Sequence, residues 1–406
     1  MSPARTALRP LFVVPHTHWD REWYRPFENY RHRLVKTLDR VLEADLPYFL
    51  LDGQTVVIDD YLAMRPEAEP ALKARIKEGK LGVGPWYVLV DEFLVSGESL
   101  VRNLLVGRQD MARFGASGAV GYLPDMFGHI AQMPQILQGF GLGTAVVWRG
   151  ATPSAPRFSW VAPDGSAVAT AWLPLGYYQP MFLEGGDLDA QLKTYAEAFA
   201  GADAVWLLSG ADHMAPRADL VARLEGVDAE ALGLAPKVAT LEEVLAGPAP
   251  EAALHGELRD NRKSYLLPGV LSARTYLKQA NAHCQTLLEQ YAEPLAALAW
   301  VAGRDYPQPF LRHAWKELMK NHPHDSICGC SVDQVHREMM PRFAAVEQVA
   351  EELLAEAVGI DERPQAEPGV FVYAPAGGDG WVELTVDWPL AGAPEAIHLV
   401  DGEGRP

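Results

Sequence analysis

The chain has 406 residues, which is too long for one typical domain, so we expect two or more. Its formal net charge of −18 would repel a phosphate backbone, which excludes nucleic acid as an expected partner. The three cysteines fit a reducing compartment better than a disulfide framework. An apolar run at 11–14 is too short for a signal peptide, and no stretch approaches the roughly 20 apolar residues of a membrane span. We therefore expect a soluble, cytoplasmic protein that does not bind a membrane.

The first part of the chain alternates short apolar runs with helical patterns. Helices are predicted at 34–42 and 55–65, where the spacing of apolar residues is helical. Buried strands are predicted at 11–14, 48–51, 120–123, 145–148 and 204–208. Two further runs within 158–172 flank a Pro-Asp-Gly turn at 163–165 and predict a β-hairpin. The alternation predicts an α/β fold with a mostly parallel sheet, whose functional loops lie at the carboxyl ends of the strands.

The pattern changes in the second half of the chain. Residues 235–262 are rich in Ala, Gly and Pro and are interpreted as a transition. Helical spacing at 274–302, 309–320 and 332–358, without intervening strands, predicts a helical bundle. From Gly369 onwards, apolar runs separated by a glycine turn predict the first strands of a β domain. The predicted domains are an α/β catalytic domain, a helical bundle and the start of a truncated β-sandwich, at 1–262, 263–362 and 363–406.

Two clusters combine histidine with aspartate. The first, HTHWDREW at 16–23, directly follows the first predicted strand, and the second, NHPHDS at 321–326, ends a helical pattern. Imidazole nitrogens and carboxylate oxygens suit Zn²⁺, so both clusters are candidate metal ligands. Each also has a plainer interpretation, which is capping histidines in a polar loop for the first and histidines near a helix dipole for the second.

Two further strand ends each carry an aspartate. Asp125 lies in GYLPDMFGH at 121–129, and Asp212 lies in SGADH at 209–213. Paired carboxylates indicate glycoside chemistry, in which one is the nucleophile and the other the acid/base. Alternatively, Asp125 caps the helical segment at 132–140, and Asp212 forms an Asx turn. The four clusters together favour a zinc-dependent hydrolase.

The motifs HTHWDREW, GYLPDMFGH, VVWRG, SGADH and NHPHDSICGCS, in this order, resemble glycoside hydrolase family 38, the zinc-dependent α-mannosidases. The segment at 83–107 is similar to the bacterial branch that includes mannosylglycerate hydrolase. The resemblance implies a retaining α-mannosidase that hydrolyses terminal or small α-mannosides, mannosylglycerate among them, through an aspartate nucleophile. The implied partner is therefore a small-molecule or oligosaccharide mannoside.

The resemblance also implies roles for particular residues. The implied zinc ligands are His18, Asp20, Asp125 and His324. Asp125 is the implied nucleophile as well, and Asp212 is the implied acid/base. An ionised Asp125 suits a nucleophile, whereas Asp212 must be protonated to assist the leaving group, so its site should raise its pKa.

Other residues are implied to surround the sugar or the metal. The implied sugar contacts are Trp23 beneath the ring, Arg149 at the nucleophile and Asp325 at a hydroxyl. His16 and His322 are expected to support the zinc ligands. Four residues in family-like segments are candidates for lining the pocket: Asp52, Trp86, Asp91 and Glu92. Asp52 also fits an ordinary turn.

Family members continue into large β-sandwich domains that help to close the active site, whereas this chain is expected to contain only the first strands of that region. We therefore expect it to fold and bind zinc but to hold substrate weakly. Its open strand edges would invite association with another copy, so a homo-oligomer is left open. Two alternatives also stay open. One is a metal-dependent carbohydrate deacetylase, which would not need Asp212 as an acid, and the other is a zinc-stabilised sugar-binding remnant.

Overall fold

The computed structural model describes residues 8–118, 120–179 and 187–359. The strands are β1 (Arg9–Thr17), β2 (Phe49–Leu51), β3 (Leu81–Gly82), β4 (Gly121–Leu123), β5 (Thr144–Val147), β6 (Arg157–Val161), β7 (Ala167–Trp172), β8 (Val205–Ser209), β9 (Leu234–Val238) and β10 (Ala253–His255). The helices of the N-terminal part are α1 (Phe27–Glu43), α2 (Val56–Leu62), α3 (Glu69–Lys77), α4 (Gly97–Phe114), α5 (Met133–Gly139), α6 (Leu188–Glu197), α7 (Leu220–Glu225), α8 (Ala229–Leu232) and α9 (Leu241–Leu245). The later helices are α10 (Thr275–Thr286), α11 (Glu293–Val301), α12 (Gln308–Met319), α13 (His324–Cys328) and α14 (Asp333–Val358).

β1 is the centre of the first sheet. It pairs in parallel with β8 on one side, in register from Leu11 opposite Val205 to Pro15 opposite Ser209. On its other side it pairs in parallel with β9 along its first half and with β2 at its end, and β3 continues the sheet beyond β2. Because all these pairings are parallel, the residues that follow β1, β2 and β8 emerge at the same edge of the sheet.

The second sheet has the strand order β10-β6-β7-β5-β4. β4, β5 and β7 are parallel to one another, whereas β6 is antiparallel to β7 and forms the predicted hairpin with it. The hairpin turns at Asp164, whose carboxylate accepts hydrogen bonds from both the backbone N–H and the hydroxyl of Ser166. The predicted α/β fold with a mostly parallel sheet is therefore confirmed.

Two tryptophan side chains connect the sheets. The indole N–H of Trp206 on β8 donates to the carbonyl oxygen of Trp172 on β7 at 2.8 Å. The indole N–H of Trp86, just beyond β3, donates to the carbonyl oxygen of Tyr122 on β4 at 3.1 Å. Each of these aromatic rings is buried, so the hydrogen bond satisfies a polar atom that would otherwise be costly inside the core.

α4 shows how local sequence determines the helices of this part. The hydroxyl of Ser96 caps its first turn by accepting a hydrogen bond from the N–H of Ser99 at 3.0 Å. Gly115 ends the helix in the left-handed conformation at φ 78°, which costs glycine little because it has no Cβ. Most of the buried residues between these ends recur at helical spacing: Leu100, Asn103, Leu104, Gly107, Met111 and Phe114.

The part beyond residue 262 is helical, as predicted. The segment predicted as one helix at 274–302 is divided into α10, a π-helical turn at Leu287–Ala292 and α11. Pro294 lies in the first turn of α11 and has no N–H to donate, which accounts for a change of hydrogen-bond pattern at this point. α14 packs along α10, α11 and α12, and the Cys284 thiol donates to the carbonyl oxygen of Phe343 between them.

Two parts of the chain differ from the sequence-based expectation. The interpretation of 235–262 as a transition is wrong, because it contains most of β9, which pairs with β1, together with α9 and β10. The strands are short, and β9 includes proline and lysine, so the apolar pattern is weak there. The β strands expected within 363–406 lie outside the described residues. Among the described helices, none is long and apolar enough to cross a membrane.

We predict that Asn103→Ala will destabilise the fold by about 3 kcal/mol. The buried side-chain oxygen of Asn103 accepts the N–H groups of Tyr87 and Val88, at 2.7 and 3.1 Å, and its amide donates to the carbonyl oxygen of Val88. Alanine would leave the buried N–H of Val88 without an acceptor and the N–H of Tyr87 with only its longer bond, 3.3 Å, to the backbone carbonyl oxygen of residue 103. Urea unfolding measures the change, and Asn29→Ala on the exposed face of α1 is the control. Equal unfolding free energies for the two variants would contradict the proposed contribution.

Candidate active site

The carboxyl end of β1 carries the first motif into the site. His18 follows the last residue of β1 and forms a parallel bridge with Asp212, which follows β8. The N–H of His213 donates to the carbonyl oxygen of His18 at 2.9 Å and extends this pairing. Gly210 permits the close approach, because a Cβ at this position would overlap the carbonyl oxygen of His16. The first and third motifs are therefore joined directly by backbone contacts.

The four residues implied as zinc ligands converge. His18 Nε2 lies 3.0 Å from Asp20 Oδ1 and 4.0 Å from Asp125 Oδ2. His324 Nε2, from the start of α13, lies 3.3 Å from Asp125 Oδ2 and 3.5 Å from Asp20 Oδ1. All four residues are buried. Ligand atoms about 2.1 Å from one tetrahedral metal ion would be about 3.4 Å from each other, so these separations fit a shared ion.

The hydrogen bonding of these atoms also fits a metal ion. Within the described residues, His18 Nε2, His324 Nε2 and Asp20 Oδ1 are buried and have no hydrogen-bond partner. Such atoms are rare in folded proteins and are commonly satisfied by an ion or water. Burial alone would lower the pKa of His324, but the carboxylates of Asp325, Asp125 and Asp20 raise it to about 10. The negative charge of the cluster therefore favours a cation between these side chains.

Asp125 is held as a carboxylate. Arg149 Nε donates to Asp125 Oδ1 at 2.8 Å, and Arg149 Nη2 lies 2.6 Å from the same oxygen. Burial would raise the pKa of Asp125, but His324 and Arg149 lower it below its usual value. Arg149 is itself fixed, because its Nη1 donates to the carbonyl oxygen of Tyr265 at 2.8 Å and its guanidinium lies over the ring of Trp148. The guanidinium contact that the resemblance implied is therefore present.

Asp212 has the opposite environment. It is half-buried, and its Oδ1 accepts a hydrogen bond from the Tyr177 hydroxyl at 2.9 Å. Burial raises the pKa of Asp212, and the nearby carboxylates of Asp20 and Asp125 raise it further, against the opposing effects of His18 and Tyr177. This shift favours the protonated acid, as the sequence analysis expected of an acid/base.

The two remaining implied sugar contacts, Trp23 and Asp325, each follow a proposed metal ligand closely in the sequence. Asp325 is the second residue of α13, and its Oδ2 lies 3.8 Å from His324 Nε2. Its Oδ1 accepts a hydrogen bond from the Cys330 thiol at 3.0 Å. Trp23 is half-buried, with its ring beside Tyr24 and its carbonyl oxygen bonded to the N–H of Val332. Contact of Trp23 with a sugar stays a prediction.

Two histidines expected to support the zinc ligands have other contacts. His16 Nε2 donates to the carbonyl oxygen of Tyr177 at 3.0 Å, and burial lowers the pKa of His16 to about 4. His322 Nε2 donates to Asn281 at 2.7 Å, and burial lowers the pKa of His322 to about 3. Both rings are therefore neutral. His16 holds the tyrosine that bonds Asp212, so it supports the acid/base side of the site.

Sequence reasoning missed Tyr177 and gave little weight to Asp52. Tyr177 lies beyond β7 in a stretch without a motif, so its contact with Asp212 is visible only in the fold. Asp52 accepts a hydrogen bond from His18 Nδ1 at 2.9 Å, although Asp52-Gly53 also fits an ordinary turn. Glu92 and Asp91 are buried as well, and Glu92 bonds His129 Nδ1 at 2.6 Å.

Comparison with known proteins agrees with this arrangement. The profile described as "Glycosyl hydrolases family 38 N-terminal domain" matches residues 9–246, and the profile described as "Alpha mannosidase middle domain" matches residues 266–359. A protein of Halalkalibacterium halodurans named "Putative mannosylglycerate hydrolase" is 39% identical over 376 residues, which are 85% of this chain and 42% of that protein. The human protein "Alpha-mannosidase 2C1" is 26% identical over 377 residues, which are 86% of this chain and 34% of that protein.

The crystal structure of an alpha-mannosidase from Enterococcus faecalis superposes with a TM-score of 0.82 at 36% identity, over 87% of this chain and 43% of that chain. The chain thus spans less than half the length of these relatives. The chain has an α/β region with histidines and aspartates at its strand ends, and this region is followed by a segment that matches an α-mannosidase middle domain. These features identify the chain as part of a glycosyl hydrolase. The chain belongs to glycosyl hydrolase family 38.

Proposed function

We propose that this chain carries the active site of a zinc-dependent retaining α-mannosidase that hydrolyses terminal or small α-mannosides. The observation that carries the proposal is the convergence of two imidazole nitrogens and two carboxylate oxygens beside the half-buried Asp212. The relatives support a mannoside substrate, since their names specify mannosidases and a mannosylglycerate hydrolase. Mannosylglycerate is therefore the first small mannoside to test.

The proposed zinc ligands are His18, Asp20, Asp125 and His324. Their donor set of two nitrogens and two oxygens suits Zn²⁺, and His18 and His324 present unpaired Nε2 atoms. When bound, zinc would act as a Lewis acid and would hold neighbouring hydroxyl groups of the sugar in place. Asp325, whose Oδ2 lies 3.8 Å from His324 Nε2, would bind a hydroxyl of the same sugar.

Two aspartates would perform the bond changes. The Asp125 carboxylate, kept ionised by Arg149, would attack the anomeric carbon and form a covalent glycosyl-enzyme while the bond to the leaving oxygen breaks. Asp212 would give its proton to that oxygen. Asp212, now ionised, would then take a proton from water as the water attacks the anomeric carbon and releases Asp125. Two displacements at one carbon retain the anomeric configuration.

The surroundings of the two aspartates would orient the sugar. Arg149 fixes one oxygen of Asp125, so the other faces the cluster of His18 and His324. Trp23 would offer an apolar ring face beneath the sugar. The carbohydrate deacetylase alternative loses support, because both matching profiles belong to glycosyl hydrolases and the chemistry would leave Asp212 without a role.

We predict that purified protein will bind one zinc ion and that His18→Ala and His324→Ala will retain little or none. Each substitution removes one of four converging ligands. Elemental analysis after dialysis against metal-free buffer measures the content. His322→Ala is the matched control, because this histidine is equally buried and two residues from His324 but bonds Asn281. Wild-type zinc content in His18→Ala and His324→Ala would disprove the ligand assignment.

We predict retention of configuration, so α-mannose should form first from an aryl α-mannoside. Proton NMR during the first minutes of turnover distinguishes the anomers before they equilibrate. The carboxyl groups of Asp125 and Asp212 should accordingly lie about 5–5.5 Å apart in a ligand-bound crystal structure. First-formed β-mannose would rule out Asp125 as a covalent nucleophile, whereas binding of mannosides without turnover would favour a sugar-binding role.

We predict that Asp212→Ala will lower turnover about 100- to 10,000-fold on alkyl mannosides but far less on nitrophenyl mannosides, whose leaving groups need little protonation. Since Asp212 must be protonated, wild-type activity should fall as pH rises through its raised pKa, and the variant should lose this alkaline limb. Steady-state kinetics over a pH range measure both effects. The control is Asp203→Ala, at an exposed position just before β8. Equal losses of turnover on both substrate types would show that Asp212 is not the acid/base.

A further inference from the structure

Asp52, at the end of β2, holds His18 from the side opposite the cluster. His18 Nδ1 donates to Asp52 Oδ1 at 2.9 Å, and both side chains are fully buried. An imidazole that donates through Nδ1 keeps the lone pair of Nε2 free, and that is the atom that faces Asp20 and Asp125. Asp52 therefore selects both the tautomer and the ring orientation of His18.

The second oxygen of Asp52 is committed to two further donors. Asp52 Oδ2 accepts the N–H of Trp19 and the amide of Gln54, each at 2.7 Å. The backbone of Asp52 is left-handed at φ 49°, a conformation that aspartate and asparagine tolerate better than most residues. The carboxylate thus has no freedom to turn away from His18.

Gln54 extends this network to the other histidine. Its amide also donates to the carbonyl oxygen of Trp19 at 2.8 Å, and its Oε1 accepts the N–H of Leu89 at 3.3 Å. The carbonyl oxygen of Leu89 in turn accepts the N–H of His324 at 3.1 Å and His324 Nδ1 at 3.3 Å. One buried network therefore runs from Nδ1 of His18 to Nδ1 of His324.

We propose that Asp52 and Gln54 are positioning residues that preorganise the metal site, because their hydrogen-bond network fixes both histidines with their Nε2 atoms turned toward the same point. The inference rests on the proposed zinc site and extends it to residues that touch neither metal nor substrate. Outer hydrogen-bond partners of metal ligands typically change metal affinity about 10- to 100-fold when mutated. The network also excludes the alternative tautomers, which would turn an N–H toward the ion.

The test is zinc affinity of the purified chain, measured by competition with a chromophoric chelator. Asp52→Asn is compatible with the left-handed backbone but replaces a carboxylate that accepts three hydrogen bonds with an amide, so we expect zinc affinity to fall about 10- to 100-fold. Gln54→Met removes the connection to Leu89 at similar side-chain volume and should also weaken binding. Asp110→Asn is the matched control, since Asp110 is a buried carboxylate bonded to Thr55 and should keep wild-type affinity.

Two further measurements separate positioning from a general effect on folding. Thermal unfolding of the metal-free proteins should show one cooperative transition for each variant, at a lower midpoint because buried hydrogen bonds are lost. The visible spectrum of cobalt(II) bound to folded Asp52→Asn should differ from that of wild type. If Asp52→Asn does not fold, Gln54→Met decides alone. Wild-type zinc affinity in a folded Asp52→Asn or Gln54→Met variant overturns this inference and leaves the proposed function standing. Failure of the wild-type chain to bind zinc would overturn both.

Discussion

The structure depends on one electrostatic constraint, which is that several carboxylates lie buried within a few ångströms of one another. Asp20 and Asp125 meet the same histidine nitrogens, and Asp325 lies 3.8 Å from one of them. Burying such charges is costly unless each is paired or binds a cation. Arg149 pairs with one oxygen of Asp125. The Nε2 atoms of His18 and His324 face the other oxygen of Asp125 and an oxygen of Asp20. A cation at the centre would balance the carboxylate charge that these contacts leave unpaired, so the arrangement supports the proposed metal site.

The same constraint shifts the pKa values of the two catalytic candidates in opposite directions. Asp125 has an arginine and a histidine beside it, which lower its pKa despite burial. Asp212 accepts a hydrogen bond from the Tyr177 hydroxyl, and burial together with the neighbouring carboxylates raises the pKa of Asp212. A nucleophile and an acid that are both carboxyl groups need different pKa values at neutral pH, so their environments must differ. The fold around the two aspartates thus supports the proposed division of roles between nucleophile and acid.

The sequence predicted the parallel α/β region and the helices beyond it from their apolar patterns. The motifs that contain His18, Asp125 and Asp212 each follow a predicted strand, whereas His324 follows a helix and was expected as a ligand from the family resemblance. His18, Asp20, Asp125 and Asp212 were accessible from their positions after these strands. Gln54 and Tyr177 were not, since their roles arise from contacts 35 residues apart in the chain, from Gln54 to Leu89 and from Tyr177 to Asp212, and neither belongs to a dense motif. β9 was not predicted for a related reason. Its apolar alternation is weak, and pairing with β1 stabilises it as a strand.

The spacing of the first motif now has a structural reason. Successive side chains of a strand point to opposite faces, so residues at intervals of two share a face. His16 and His18 both approach Tyr177, with ring centroids 6.1 and 4.9 Å away, whereas the ring of Trp19 packs against Tyr30 and His213. His16 holds Tyr177, which bonds the acid/base candidate, and His18 faces the metal ligands. The alternation at the end of β1 therefore couples both halves of the site, and a shift of one residue would remove both contacts together.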